Sequence, residues 1–194
     1  MGAALAAVLI AVSVLTLSPA STGAATNPQE GEHDVVVSTN PLDTTPHVLD
    51  GNTQAVVDLG GKVIVGGKFT QVKRWNQPTV FTRNNIFAYD KATGAIDTTF
   101  VPQLDGQVTG LLKAADGKVY VSGQFRNVNG VAGGYLVKLD PANGVRDMSF
   151  NASPTGMVYD IHLHGSTLFA VGTFTRIRNL VRTNFAMLLS LIHI

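Results

Sequence analysis

One short pattern occurs three times in this chain. Lys62-Val63-Ile64-Val65-Gly66-Gly67-Lys68-Phe69 returns as Lys118-Val119-Tyr120-Val121-Ser122-Gly123-Gln124-Phe125, and again as Thr167-Leu168-Phe169-Ala170-Val171-Gly172-Thr173-Phe174. Aligned on Gly67, Gly123 and Gly172, the copies stand 56 and 49 residues apart. A period of that length points to repeated supersecondary units, each of which hides its apolar face only against its neighbours.

Each of the first two units holds four short apolar runs. In the first they are 55–59, 63–69, 86–89 and 95–100; in the second, 108–112, 119–125, 135–139 and 145–150. All are too short for helices, rich in Val, Ile, Phe and Tyr, and punctuated by Gly, Asp and Asn, so they read as strands. The third unit starts at Met157-Val158-Tyr159 and runs through Phe174 to the run 184–188. Asp90-Lys91-Ala92-Thr93-Gly94 and Asp140-Pro141-Ala142-Asn143-Gly144 read as tight hairpins, with Asp bonding turn backbone and Gly94 and Gly144 in the left-handed region. A calcium site there would have too few oxygen ligands.

Glycine inside a strand marks close approach of another backbone, which is the reading for Gly67, Gly123 and Gly172. The neighbouring Phe69, Phe125 and Phe174, with Phe100 and Phe150 at the unit ends, supply large apolar surfaces. Each is worth about 1.5–3 kcal/mol when buried. Runs such as Val63-Ile64-Val65 are apolar at successive positions, so both sheet faces need cover. Four short strands per unit of about 50 residues is the arithmetic of a β-propeller blade. The expected fold is all-β and β-propeller-like, with about three four-stranded blades, the third incomplete. Three units fall short of the 4–8 blades of a closed ring, so an open arc is expected.

On the residues Val65-Gly66-Gly67-Lys68-Phe69, Val121-Ser122-Gly123-Gln124-Phe125 and Val171-Gly172-Thr173-Phe174, and on the two Asp-to-Phe hairpins, the units resemble the delta-60 repeat family. The resemblance covers about residues 43–188. It implies a secreted bacterial β-propeller-like protein with no assigned activity. Quinoprotein-type propellers share the Asp-x-x-Thr-Gly hairpin of Asp90 to Gly94, but their blades depend on a repeated tryptophan, and Trp75 is the one tryptophan of this chain.

Four segments are expected. Residues 1–25 read as a secretory signal peptide, apolar from Ala3 to Leu17, although no basic residue precedes Lys62. The apolar run is shorter than the roughly 20 residues a spanning helix needs, so no stable membrane span is expected. Residues 26–42 read as a linker with an entering strand at 34–38. Residues 43–188 hold the repeats, in units of about 52–103, 106–153 and 156–188. Residues 189–194 resemble a translated sequencing-adapter tail, which would make the chain a truncated one. The expected location is extracellular or on the cell surface. There is no cysteine, which removes disulfides, thiolate metal sites and cysteine nucleophiles. Net charge is +1, so overall charge gives no reason to expect a nucleic acid partner.

No catalytic residue, metal site or cofactor is expected. GxSxG and the phosphate-binding glycine motifs do not occur, and His162-x-His164 lacks further zinc ligands in its own stretch. Asp58, Asp105 and Asp160 recur near unit starts and read as bonding turn backbone. The connections 70–84, 126–134 and 175–184 carry Lys73 together with Arg74, Arg83, Arg126, Arg176, Arg178 and Arg182. Those seven make half of the 14 Lys and Arg of the chain, with no Asp or Glu among them. In a simple meander these connections share one rim, opposite Asp90, Asp97, Asp116, Asp140 and Asp147. The basic rim, with Trp75 and Asn76, is the candidate binding surface. The expected partners are an extracellular glycan or other anionic polymer, and other domains of a larger surface protein. The expectation is a non-catalytic scaffold or binding module; the alternative is a propeller-type polysaccharide hydrolase or lyase.

Overall fold

The computed structural model describes residues 42–189. The expected signal peptide, the entering strand 34–38 and the tail from Ser190 onward lie outside the described residues. Leu189, the first residue of the expected tail, is described: it ends a strand and pairs with Thr167.

The fold is all-β and β-propeller-like. Three blades follow one another along the chain. The first is preceded by β1 (His47–Val48) and built from β2 (Asn52–Asp58) and β3 (Lys62–Lys68). A small hairpin, β4 (Gln71–Lys73) and β5 (Val80–Thr82), comes next, and β6 (Ile86–Asp90) closes the blade. The second repeats this plan with β7 (Val108–Lys113), β8 (Val119–Gly123), the hairpin β9 (Asn127–Val128) and β10 (Val131–Ala132), and β11 (Leu136–Leu139). The third has β12 (Val158–His164), β13 (Thr167–Gly172), the hairpin β14 (Arg176–Ile177) and β15 (Leu180–Val181), and β16 (Phe185–Leu189). The main sheets are antiparallel in the orders β2-β3-β6, β7-β8-β11 and β12-β13-β16. They form an open arc, β2 packing on β7 and β7 on β12.

The fourth run of the first and second units is reduced to one bridge, Tyr89 with Ile96 and Leu139 with Arg146. The cause lies one residue further on. The Asp97 carboxylate accepts hydrogen bonds from the Thr99 and Phe100 amides (2.7 and 3.1 Å), and Asp147 accepts from the Ser149 amide (2.9 Å). Such local bonds draw the backbone into a turn and end the ladder.

The three glycines of the repeat do one job. Each opening strand has a register shift, at Thr53/Ala55, Val108/Gly110 and Val158/Asp160. The bulge pushes the opening backbone over the second strand. A Cβ on Gly67 or Gly123 would lie 2.1 Å from the carbonyl oxygen of Asn52 or Gln107, and one on Gly172 would lie 1.9 Å from that of Met157. Phe69, Phe125 and Phe174 follow two residues later and are buried in three separate apolar clusters. Phe100 is also fully buried, in the cluster around Phe125, and Phe150 packs half-buried against the cluster around Phe174. Gly94 and Gly144 sit at φ of 69° and 74° in their hairpins, where a side chain would be strained.

Lysines at the start of the second strands tie down these turns. Lys62 Nζ lies 2.6 Å from Asp97 Oδ2 and Lys118 Nζ 2.8 Å from Asp147 Oδ2; Lys138 bridges Asp147 (3.2 Å) and Asp116 (2.9 Å). Burial opposes the charge on Asp97 and Asp147. Hydrogen bonds from Lys62 and Thr99, and from Lys118, Ser149 and Lys138, outweigh it and hold both carboxyls well below the usual range. A carboxyl depressed in the folded state stabilises above its unfolded pKa and loses that contribution as pH falls below about 4. The urea midpoint should therefore fall between pH 6 and pH 3. Asp147→Asn should lower it at pH 6 and flatten the dependence; an unchanged slope would remove this aspartate from the account.

Candidate functional site

The residues singled out for binding sit on, or beside, the three small hairpins, and a repeated clamp fixes where each hairpin begins. Asp50 Oδ1 accepts from the Thr70 and Gln71 amides (2.9 and 2.8 Å), and Asp105 Oδ1 from those of Arg126 and Asn127 (2.7 and 2.9 Å). In the third unit the Thr155 hydroxyl takes the same place, accepting from the Thr175 and Arg176 amides (3.1 and 3.0 Å). Asp50-Gly51 and Asp105-Gly106 align in the sequence, where Asp105 reads as a turn residue; the clamp adds Thr155 as the third member. The signal was the recurring Asp50-Gly51, Asp105-Gly106 and Thr155-Gly156, blurred by the Asp-to-Thr change. Burial opposes the Asp105 charge, and the bonds from Asn127 and Arg126 still hold its pKa down.

The clamp turns each hairpin back along its blade. β4 pairs with β1, and Val128 of β9 bridges to Leu104. The hairpin tips consequently meet the hairpins of the supposed opposite rim. Arg74 Nη2 donates to the Thr93 carbonyl (2.7 Å), and Asn129 Nδ2 to the Gly144 carbonyl (3.3 Å). The separation into a basic and an acidic rim does not hold. Asp97, Asp116 and Asp147 are also neutralised by the lysines described above. The second-to-third connections are small hairpins and not free rim loops, the first paired with β1 and the second bridged to Leu104.

The candidate residues divide accordingly. Arg83 leaves the set: it is 7% exposed, donates to the Thr82 and Asp97 carbonyls (2.8 and 3.0 Å) and lies over the Phe81 ring at 5.4 Å. Arg126 is exposed and donates to the Tyr135 hydroxyl (3.1 Å), and exposed Arg176 reaches the Asn179 carbonyl (3.4 Å). Arg178 donates to the Asn151 carbonyl (2.8 Å) and Arg182 to that of Val181 (2.7 Å). Those two share a cleft of about 470 Å³ between the second and third blades, with Tyr120 and Phe150 in its wall.

Arg74, Trp75 and Asn76 come together in a second cleft, of about 240 Å³, completed by Asp43, Thr44 and Thr93. Trp75 is half-buried and also lines an adjoining depression with Leu42, Pro46 and His47. An indole face, a guanidinium, an amide and a carboxylate thus converge on one small concavity. Such a group can stack on a sugar ring and exchange hydrogen bonds with its hydroxyls. Asp43 makes the cleft mixed in charge, which suits a polyhydroxylated ligand better than a dense polyanion.

His162 and His164 are exposed on β12, and among the described residues no group of three or more His, Cys, Asp or Glu side chains could hold a metal ion. Asp58 pairs with Lys91 and bonds the Gly60 amide (2.8 Å), so it is not a backbone-only turn residue; Asp160 bonds the Ile161 amide (2.8 Å). Among the described residues no helix is long and apolar enough to cross a membrane.

A family model described as "Domain of unknown function (DUF5122) beta-propeller" matches residues 114–150, which span β8 to β11 and the Asp140–Gly144 hairpin of the second blade. No curated protein matches the chain.

Proposed function

We propose that this β-propeller domain is a non-catalytic module of the delta-60 type, secreted or held at the cell surface, that binds an extracellular sugar polymer. The observation that carries the reading is the Trp75 cleft, where Arg74, Asn76 and Asp43 surround an accessible indole. The arginines on the other hairpins, Arg126, Arg176, Arg178 and Arg182, lie away from that cleft and act as secondary contacts along an extended polymer. No specific observation favours a hydrolase or lyase: Asp58, Asp97, Asp116 and Asp147 are engaged by lysines.

Affinity electrophoresis on gels containing neutral or uronic-acid polysaccharides tests this. Retardation should appear on at least one glycan, and Trp75→Ala should weaken it about tenfold or more, the scale of a lost stacking contact. Arg178→Glu should weaken it less. Retardation that survives Trp75→Ala, or none on any glycan, would refute the assignment of this cleft.

A further inference from the structure

One residue of the middle blade is at odds with its own backbone. Asn85, Tyr135 and Asn184 hold the same place in the three units. The carbonyl of each accepts from the repeat glycine (2.9, 3.0 and 2.9 Å), and its amide donates to the carbonyl of the repeat phenylalanine (3.0, 2.9 and 2.9 Å). All three are in the left-handed region, at φ of 69°, 57° and 64°. Asparagine tolerates that region, whereas a bulky side chain there is an outlier that costs stability. A tyrosine standing where both counterparts are asparagine points to a use for its side chain.

That use lies in Arg126, whose Nε donates to the Tyr135 hydroxyl (3.1 Å). The Tyr135 ring packs, half-buried, against the cluster around Phe174, so the arginine is tethered to a fixed point. Arg126 is exposed and makes no ion pair among the described residues. With Nε taken, Nη1 and Nη2 remain as a parallel pair of donors, the fork that fits a carboxylate. Asp105 is committed to the Arg126 and Asn127 amides and to Asn127 Nδ2 (2.7, 2.9 and 2.6 Å), and residues 126–134 include no Asp or Glu. Both residues belong to the blade that has a neighbour packed on each side, β2 on β7 and β7 on β12.

We propose that Arg126, held by Tyr135, is a carboxylate-binding subsite, filled by the uronic-acid groups of a polymer. The source of that carboxylate rests on the proposed sugar-polymer function; the subsite itself does not. Tyr135 is a positioning residue. Its hydroxyl holds the fork in one orientation, so less side-chain freedom is lost on binding. The two positions differ together from their counterparts. By the hairpin clamp, Thr70 and Thr175 stand where Arg126 does, and they go with Asn85 and Asn184. The subsite is thus confined to the second blade.

NMR titration of the full chain with sodium glucuronate, and with glucose as the uncharged control, tests the subsite through the backbone amides of residues 126, 127 and 135. Glucuronate should shift them saturably and glucose should not. Arg126→Lys keeps the charge but loses the fork, and should weaken glucuronate about tenfold. Tyr135→Phe keeps the ring and the backbone but loses the hydroxyl, and should weaken it about threefold. Tyr135→Asn should weaken it as well, yet keep or raise the urea midpoint, because the strain at φ is relieved. A midpoint that falls would make the ring a packing element and overturn the proposal. So would the absence of a glucuronate shift, or an affinity unchanged in Arg126→Lys or Tyr135→Phe. Glucuronate binding at Arg126 without retardation on any uronic-acid polysaccharide would remove the polymer reading and leave the subsite standing.

Discussion

Gly123→Ala should cost at least about 3 kcal/mol and leave much of the chain unfolded at room temperature. The new methyl would stand 2.1 Å from the Gln107 carbonyl oxygen, with the Val108 Cα also within 3.1 Å. Both neighbours are backbone, and both belong to the bulged start of β7, so no side-chain rotation relieves the overlap. Gly67→Ala and Gly172→Ala should do the same damage in their blades, against the Asn52 and Met157 carbonyls. Gly61→Ala is the control, since its new methyl meets nothing within 4 Å. Urea denaturation of the four variants measures the difference. A Gly123→Ala chain as stable as Gly61→Ala would show that the bulge does not approach the second strand as described.

Phe125→Ala should cost about 3–5 kcal/mol, the range for an aromatic ring removed from a well-packed core. Phe125 is fully buried among Phe100, Val108, Val121 and Val137, so the loss reaches both the second blade and the end of the first unit. Phe185→Ala removes the same side chain from a half-exposed face and should cost under about 1 kcal/mol. Equal effects at the two positions would contradict the assignment of inner and outer faces.

The fold was legible because its strongest constraints are local and repeated. The glycine two residues before each phenylalanine, the Asp-to-Gly hairpins and the short Val-rich runs all lie in continuous stretches. Two features were not legible. The fourth run reads as a strand from Ala95 to Phe100, but one carboxylate, Asp97, bends it away after a single bridge. The path of the small hairpins depends on Asp50, Asp105 and Thr155, which clamp amides some 20 residues downstream. That distance defeats a local reading, and with it went the two-rim picture. The candidate site was partly legible. Trp75 and its two neighbours stand together in the sequence, but Asp43 and Thr93 join them only in three dimensions. Arg83 looked like its fellow arginines, and only burial tells it apart.

Native-state hydrogen exchange, read residue by residue, is the most direct test of a sheet repeated three times. The amides of Gly67, Gly123 and Gly172 donate to the Asn85, Tyr135 and Asn184 carbonyls at 2.9, 3.0 and 2.9 Å. All three should be strongly protected. Exchange of Gly67 or Gly123 at the rate of an unstructured peptide would contradict the repeated blade.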